Sequence, residues 1–176
     1  MSNEIRLELA MEYELPYLME KMKEAFAPAA KEHFGEDTDM SGPPPEQLDR
    51  AFSDPDRKVY ILLQNGKKVG AAVLMINEET QHNKVDLLFI FHEYQSKGLG
   101  FDAWKAIELA FPETKMWELD TPYFEKRNIN FYVNKCGFHI VEYFNDFHPD
   151  PHRPPLPPDM PEMKDDGFFR FEKIIT

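Results

Sequence analysis

The chain has 176 residues, of which 42% are hydrophobic, and it carries a formal net charge of −12 at neutral pH. This length suffices for a full hydrophobic core, and we predict one domain over residues 1–176. The acidic balance argues against nucleic acid or an anionic membrane as the main partner, because either would need a basic surface. The single cysteine, Cys136, excludes an intrachain disulfide and a zinc–cysteine site, and no metal site is predicted.

The sequence also carries signals about location. No run approaches the roughly 20 apolar residues that a membrane-spanning helix needs. The first residues, Met1–Glu4, have neither the basic nor the apolar region of a secretion signal. We therefore expect a cytoplasmic protein without a membrane partner.

The first third of the chain predicts one strand and two helices. Alternation of apolar and polar residues predicts a strand at Ile5–Leu9. An apolar stripe at helical spacing predicts a long helix at Leu15–Phe34, despite the interior proline Pro28. The segment Gly42–Pro45 breaks the chain before a short helix at Glu46–Phe52.

A hairpin and a buried strand follow. The runs Val59–Leu63 and Val69–Ile76 flank an Asn65-Gly66 pair, which is a strong hairpin signal because both residues accept positive φ. The nearly continuous apolar run Val85–Phe91 is typical of a strand buried on both faces.

In the second half of the chain, predicted helices and strands follow one another. Apolar residues recur at helical spacing until Pro112 ends the pattern. The predicted elements are a helix at Phe101–Phe111, a strand at Lys115–Leu119, a helix at Lys126–Lys135 stopped by Gly137, and strands at His139–Phe144 and Phe168–Ile174. A proline-rich loop, residues 148–166, joins the last two strands.

Between the buried strand and the following helix lies the segment Gln95-Ser96-Lys97-Gly98-Leu99-Gly100. Glycines in such a turn let the backbone approach a ligand, and the unpaired amides of the helix's first turn attract an anion. The spacing excludes the dinucleotide fingerprint and the nucleotide P-loop. The alternatives are a phosphate-binding loop and a plain strand–helix turn.

Two motifs carry a resemblance to a known family. The segment from Gln95 to Gly100 resembles the pyrophosphate loop of the GNAT N-acetyltransferase superfamily, Gln/Arg-x-x-Gly-x-Gly/Ala, which directly follows the fourth strand. The segment from Asn128 to Phe138 is similar to the family's Asn-x-x-Phe-Tyr block. The order of elements agrees as well. The resemblance implies an α/β GNAT fold, with a mixed central sheet of about six to seven strands flanked by about four helices.

The resemblance also implies acetyl-CoA as the acyl donor, with no metal. In the family, backbone groups of the strand before the loop bind the pantetheine arm, the loop amides bind the pyrophosphate, and an asparagine of the second motif meets the cofactor. That asparagine, Asn128, could instead cap its helix. The positions assigned to the cofactor are Phe89, Ile90, Phe91, Gln95, Ser96, Lys97, Gly98, Leu99, Gly100, Phe101 and Asn128.

For catalysis, the resemblance implies direct attack of an amine on the thioester, with a strand amide near Phe91 polarising the carbonyl. Tyr132 would protonate the departing thiolate, and the alternative is a core tyrosine packed against the sheet. Four residues separate Tyr132 from Gly137, where most members have three. Asp86 and Glu118 lie where the family tends to place carboxylates that face the acceptor.

The predicted function is therefore N-acetylation of a primary amine, with a small molecule as the acceptor and a homodimer expected from the family. A protein N-terminus or lysine is the alternative acceptor. One rival is a non-catalytic acyl-CoA-binding or regulatory domain. Another is an unrelated α/β domain whose loop binds a different phosphate compound.

Overall fold

The computed structural model describes residues 4–35, 46–151 and 167–176, with the backbone alone at residues 33, 34, 46 and 47. The predicted break at Gly42–Pro45 and most of the predicted loop, residues 148–166, lie outside this part of the chain. No helix within the described part is long and apolar enough to cross a membrane.

The described residues form a mixed α/β fold of seven strands and four helices, which confirms the predicted fold class. The strands are β1 Ile5–Leu9, β2 Arg57–Gln64, β3 Lys67–Met75, β4 His82–Ile90, β5 Met116–Pro122, β6 His139–Phe144 and β7 Phe168–Ile174. The helices are α1 Leu15–Phe34, α2 Glu46–Ser53, α3 Leu99–Ala110 and α4 Lys126–Asn130. Two short 3-10 turns, at Glu12–Glu14 and His92–Tyr94, precede α1 and the glycine loop.

The chain divides into two compact units. The first ends at Trp117 and includes Ile174–Thr176, and the second comprises Glu118–Lys173. In the first unit, β1, β2, β3 and β4 pair antiparallel in chain order. The β2–β3 turn has Asn65 at φ 53° and Gly66 at φ 79°, the left-handed pair that the hairpin signal predicts.

The two faces of this antiparallel sheet carry different helices, and the alternation along β4 shows which side chains meet each of them. On one face, α1 and α2 bury Leu18, Met22 and Leu48 against Leu87 and Phe89 of β4. On the other face, α3 buries Leu99 and Ala103 beside Leu88 and Ile90. Successive residues of a strand point to opposite faces, so β4 is covered on both sides and its sequence is a nearly continuous apolar run.

One irregularity of β4 falls at Asp86. Val73 of β3 lies opposite Leu87, and the next residue, Leu74, lies opposite Val85. Asp86 is therefore the extra residue of a β-bulge, which locally increases the twist of the strand and re-aims its side chains.

In the second unit, β6 and β7 form an antiparallel pair. Helix α4 continues directly into a single π-helical turn at Phe131–Lys135. Tyr132, Phe138 and Phe171 are buried together in the interior of this unit.

Candidate active site

The glycine loop has the geometry of an anion-binding turn. Ser96 and Gly98 both adopt the left-handed conformation, at φ 65° and 78°, and Gly98 is the N-cap of α3. The N-cap residue is a glycine, so it has no side chain with which to cap the first amides of α3. These amides lie at the positive end of the dipole of a 12-residue helix, which favours a phosphate there.

The side chain of Gln95 points inward. Its Nε2 donates hydrogen bonds to the carbonyl oxygens of Ile90, at 3.0 Å, and Ala25 of α1, at 3.3 Å. Its backbone N–H donates to the carbonyl of His92 at 3.2 Å. Gln95 therefore anchors the loop to β4 and α1, and the amides that remain for a phosphate follow it in the loop.

At the end of β4, next to the loop, the backbone N–H groups point alternately toward β3 and away from it. The N–H of Phe91 donates to the carbonyl of Val69 in β3 at 2.8 Å. Because N–H groups alternate in direction along a strand, the neighbouring amide of Ile90 points to the edge away from β3. Within the predicted stretch Phe89–Phe91, the amide directed away from β3 is thus that of Ile90, whereas the amide of Phe91 is already bonded.

Two lysines, one in the loop and one beside it, bring positive charge to this region. Lys97 is exposed, with its Nζ 5.8 Å from the centroid of the Tyr94 ring. Lys97 and Lys67 both line a cavity of about 370 Å³ between the loop and the β2–β3 turn. Their positive charge stands out in a chain of net charge −12 and favours phosphate near the loop.

The carboxylate of Asp86 is engaged by an arginine of β2. Arg57 Nε lies 3.2 Å from Asp86 Oδ2, and the same guanidinium pairs with Asp54. Asp86 is half-buried at the bulge of β4. Its predicted catalytic role, as a carboxylate that faces the acceptor, stays a prediction.

Arg170 of β7 lies at the centre of an acidic cluster in the second unit. Its guanidinium lies 4.8 Å above the ring of Phe144 and is largely buried, with 17% of the side chain exposed. The carboxylates around it are those of Glu118 at 2.9 Å, Asp150 at 3.3 Å, Asp120 at 3.5 Å and Glu142 at 3.9 Å.

This acidic cluster contains the predicted catalytic residue Glu118, and carboxylates outnumber cations in it. Within the described part of the chain, four carboxylates face one guanidinium, and His148 lies 2.8 Å from Glu142. No group of three or more side chains arranged to hold a metal ion occurs in the described ranges. Sequence reasoning missed Arg170, although one charged residue within the aromatic run Phe168–Phe171 was an available signal.

The structure corrects one reading of Asn128. The N-cap of α4 is Glu125, and Asn128 is the third residue of the helix, half-buried. The alternative that Asn128 caps this helix is therefore wrong. Its contact with the cofactor stays a prediction.

The π-helical turn explains the extra residue in the second motif. The N–H of Cys136 donates to the carbonyl of Phe131 at 3.0 Å, five residues back instead of four. A π-helical turn accommodates one inserted residue without breaking the helix. Tyr132 keeps its spacing from Asn128, and Gly137, at φ 85°, still ends the helix.

Tyr132 packs as an interior residue. Only 7% of it is exposed, and its ring centroid lies 5.0 Å from Phe131, 5.6 Å from Phe138 and 6.2 Å from Phe171. Burial raises the pKa of its phenol above the ordinary value of 10, so the hydroxyl is protonated at neutral pH. A protonated phenol can donate a proton, but this one is a weaker acid than an exposed tyrosine.

A glycine turn directly after a buried strand and before an amphipathic helix makes this an α/β protein with a candidate anion site at the helix N-terminus. Residues 17–138 match the family model described as the acetyltransferase (GNAT) family. The chain belongs to this family, which confirms the resemblance and excludes an unrelated α/β domain.

The chain is also similar to individual proteins. The uncharacterized protein YrkN of Bacillus subtilis (strain 168) is 52% identical over 171 residues, which cover 96% of this chain and 92% of YrkN. An acetyltransferase from Thermus thermophilus has a TM-score of 0.67 at 17% identity, over 98% of this chain and 97% of that one. A Bacillus subtilis acetyltransferase in complex with CoA has a TM-score of 0.61 at 19% identity, over 98% and 99% of the two chains. The two solved structures show a shared fold.

Proposed function

We propose that this protein is an acetyl-CoA-dependent N-acetyltransferase that acts on the primary amine of a small molecule. The observation that carries the proposal is the glycine loop, left-handed at Ser96 and Gly98 and placed at the N-terminus of α3, where the N-cap residue is Gly98. A Cβ at Gly98 would meet no described atom within 4 Å, so the backbone here is open to a ligand. The similar Bacillus subtilis acetyltransferase, crystallised with CoA, supports CoA as that ligand.

In the proposed reaction, acetyl-CoA supplies the activated acyl group. The loop amides and the dipole of α3 hold the pyrophosphate, with Lys97 adding positive charge. The ammonium group first gives one proton to a carboxylate or to water. The nitrogen of the neutral amine then attacks the thioester carbonyl carbon, and the C–S bond breaks as the nitrogen gives up a second proton to solvent. The amide of Ile90 is the proposed donor to the carbonyl oxygen, and Tyr132 gives its proton to the thiolate.

The acceptor is proposed to be a cationic amine. The acidic cluster around Arg170 holds more carboxylates than cationic side chains among the described residues, which favours an ammonium group over an anionic acceptor. Glu118, a member of this cluster, is the proposed group that orients the amine or accepts its proton. A protein N-terminus or a lysine side chain carries the same charge and is the competing acceptor.

A second candidate is a non-catalytic acyl-CoA-binding domain. Two observations favour it: the raised pKa makes Tyr132 a weak acid, and Asp86 is already paired with Arg57. Such a domain would bind acetyl-CoA through the same loop without releasing the thiol.

The first test is calorimetric titration with acetyl-CoA, with CoA and with ADP, which lacks the pantetheine arm. Micromolar binding that requires the pantetheine arm would support the proposal. Equal binding of ADP would show that the loop is a generic phosphate site. Thiol release from acetyl-CoA would then be measured with polyamines, other small primary amines and lysine-containing peptides. Binding without thiol release from any of them would favour the non-catalytic domain.

A further inference from the structure

The cavity between the β2–β3 turn and the glycine loop has a size suited to part of a ligand. Its volume of about 370 Å³ lies within the range of about 300–1,000 Å³ that small-molecule sites occupy. Its polar walls come from the turn, from the loop and its approach, and from the first turn of α3, with the residues Gln64, Asn65, Lys67, Tyr94, Lys97 and Asp102. The cavity therefore adjoins the loop at which we propose that a pyrophosphate binds.

The two lysines at the start of β3 point in different directions. Successive residues of a strand face opposite sides of a sheet. Lys67 lines the cavity, whereas Lys68 Nζ lies 2.8 Å from Glu14 Oε1 and 5.6 Å from the centroid of the Tyr17 ring. Of this pair, Lys67 therefore brings its charge to the side of the glycine loop.

The lysines of the cavity wall keep a positive charge for a ligand. Neither Lys67 nor Lys97 has a carboxylate partner among the residues that the structure describes. Lys97 Nζ lies 5.8 Å from the centroid of the Tyr94 ring, which holds the ammonium group beside the cavity. Asp102 also lines the cavity, but its carboxylate lies 3.5 Å from Nζ of Lys105, which offsets its charge within α3. The wall thus favours an anion.

Two ammonium groups suit a phosphate monoester. A monoester carries a charge of about −1.5 to −2 at neutral pH, because its second pKa is near 6. Ammonium groups form charge-assisted hydrogen bonds with its oxygen atoms. CoA contains one such group, on the 3′ carbon of the ribose that also carries the pyrophosphate. A pyrophosphate on the glycine loop therefore leaves this monoester only one sugar ring away.

The two ends of CoA would leave the loop on different sides. The amide of Ile90, which we propose for the acyl end, points to the edge of β4 away from β3. The cavity lies on the side of β3, beside the turn from which that strand begins. The adenosine end can therefore occupy the cavity while the pantetheine arm follows β4.

We propose that this cavity receives the 3′-phosphate of CoA and that Lys67 makes the protein select CoA over 3′-dephospho-CoA. The inference rests on the proposed function, since it requires a pyrophosphate on the glycine loop. It gives a ligand contact to a residue of the β2–β3 hairpin, outside both of the motifs that the sequence carries. Lys67 determines which cofactor binds and takes no part in acyl transfer.

The test is calorimetric titration of wild type, Lys67→Gln and Lys67→Arg with CoA and with 3′-dephospho-CoA. Wild type should bind CoA more tightly. Lys67→Gln should raise the Kd for CoA about three- to tenfold and leave the Kd for 3′-dephospho-CoA unchanged, because only CoA carries the phosphate that Lys67 meets. Lys67→Arg keeps the charge and should keep the preference for CoA.

Lys68→Gln is the matched control, because it removes the same charge from the adjacent residue. Its side chain is bonded to Glu14 and does not line the cavity, so the Kd for both ligands should stay unchanged. This comparison separates a local contact from a general loss of attraction for anions. Lys67 is exposed, and Lys67→Gln should leave the midpoint of urea unfolding unchanged, which separates a lost contact from lost folding.

Each remaining outcome overturns a stated claim. If the wild-type protein binds neither ligand, the proposed function fails and this inference fails with it. The proposed function stands and the inference is refuted if wild type binds CoA and 3′-dephospho-CoA equally tightly. The same conclusion follows if Lys67→Gln weakens the binding of both ligands, or if Lys68→Gln weakens CoA binding as much as Lys67→Gln does.

Discussion

The sharpest prediction concerns Gly98 at the N-cap of α3. Its φ is +78°, and a Cβ built there meets no described atom within 4 Å, so Gly98→Ala introduces backbone strain without a clash. The left-handed conformation costs an L-residue about 1–2 kcal/mol, and the reduced freedom of the unfolded chain offsets about 0.4–1 kcal/mol of this. We expect the free energy of unfolding to fall by about 1 kcal/mol.

The chain supplies a matched control at Gly66 in the β2–β3 turn. Gly66 has φ +79°, and a Cβ there also meets no described atom within 4 Å. Gly66→Ala should therefore lower the free energy of unfolding by the same amount as Gly98→Ala. The two substitutions differ in place alone, since Gly66 lies in the hairpin and Gly98 in the glycine loop.

The proposed function requires different effects on binding. A methyl group at Gly98 would occupy the space through which a phosphate approaches the loop backbone, so the Kd for CoA should rise at least about tenfold, or about 1.4 kcal/mol. Gly66→Ala should leave the Kd unchanged. Urea unfolding gives the free energy of unfolding of both variants, and calorimetric titration gives their Kd for CoA. Equal affinities of the two variants for CoA would refute the reasoning, and so would a stability loss of several kcal/mol in Gly98→Ala alone.

Three further predictions concern other parts of the molecule. Tyr132→Phe should lower thiol release about 100-fold or more while CoA affinity and stability stay unchanged, because it removes the proton donor and keeps the packed ring; steady-state kinetics and calorimetry check this, and undiminished turnover would leave Tyr132 as a core residue. Glu14 has a pKa below its ordinary value of 4.5 because Lys68 donates a hydrogen bond to its carboxylate, so its stabilising effect is present above pH 4.5 and is lost as the pH falls below it. In urea unfolding from pH 3 to pH 7, the free energies of unfolding of wild type and Glu14→Gln should converge in acid, and a constant difference would contradict this. Arg170→Met leaves four carboxylates without this guanidinium and should lower the free energy of unfolding by about 3 kcal/mol or more at pH 7; urea unfolding checks this, and an equally stable variant would contradict it.

Local sequence signals predicted most of the fold. The bounds of β1 at Ile5–Leu9 and α1 at Leu15–Phe34 agree with the structure, as does the Asn65-Gly66 turn. These elements carry their information in short-range periodicity and in backbone preferences of individual residues. The fourth predicted helix, Lys126–Lys135, has the expected bounds, but its last turn, Phe131–Lys135, is π-helical, which short-range periodicity did not predict.

The local features of the candidate site were also predictable from the sequence, whereas its long-range contacts were not. The glycine loop was found from the sequence because anion binding by a helix N-terminus is a local property of strand, turn and helix. The inward direction of Gln95 was not, since its partner Ala25 lies 70 residues away in the chain. The cytoplasmic location, the homodimer and the catalytic roles of Tyr132, Asp86 and Glu118 stay predictions.

The sequence by itself determined the class of fold, the order of its elements and the loop that places the chain among acetyltransferases, since periodicity, turn residues and motif spacing are written in neighbouring positions. Tertiary structure alone decided the partners of charged and polar side chains. Arg57 meets Asp86 across 29 residues, and Arg170 gathers carboxylates from β5, β6 and the chain after β6. Such contacts follow from the three-dimensional path of the backbone, because groups far apart in the chain meet only when strands and helices have packed around a common core.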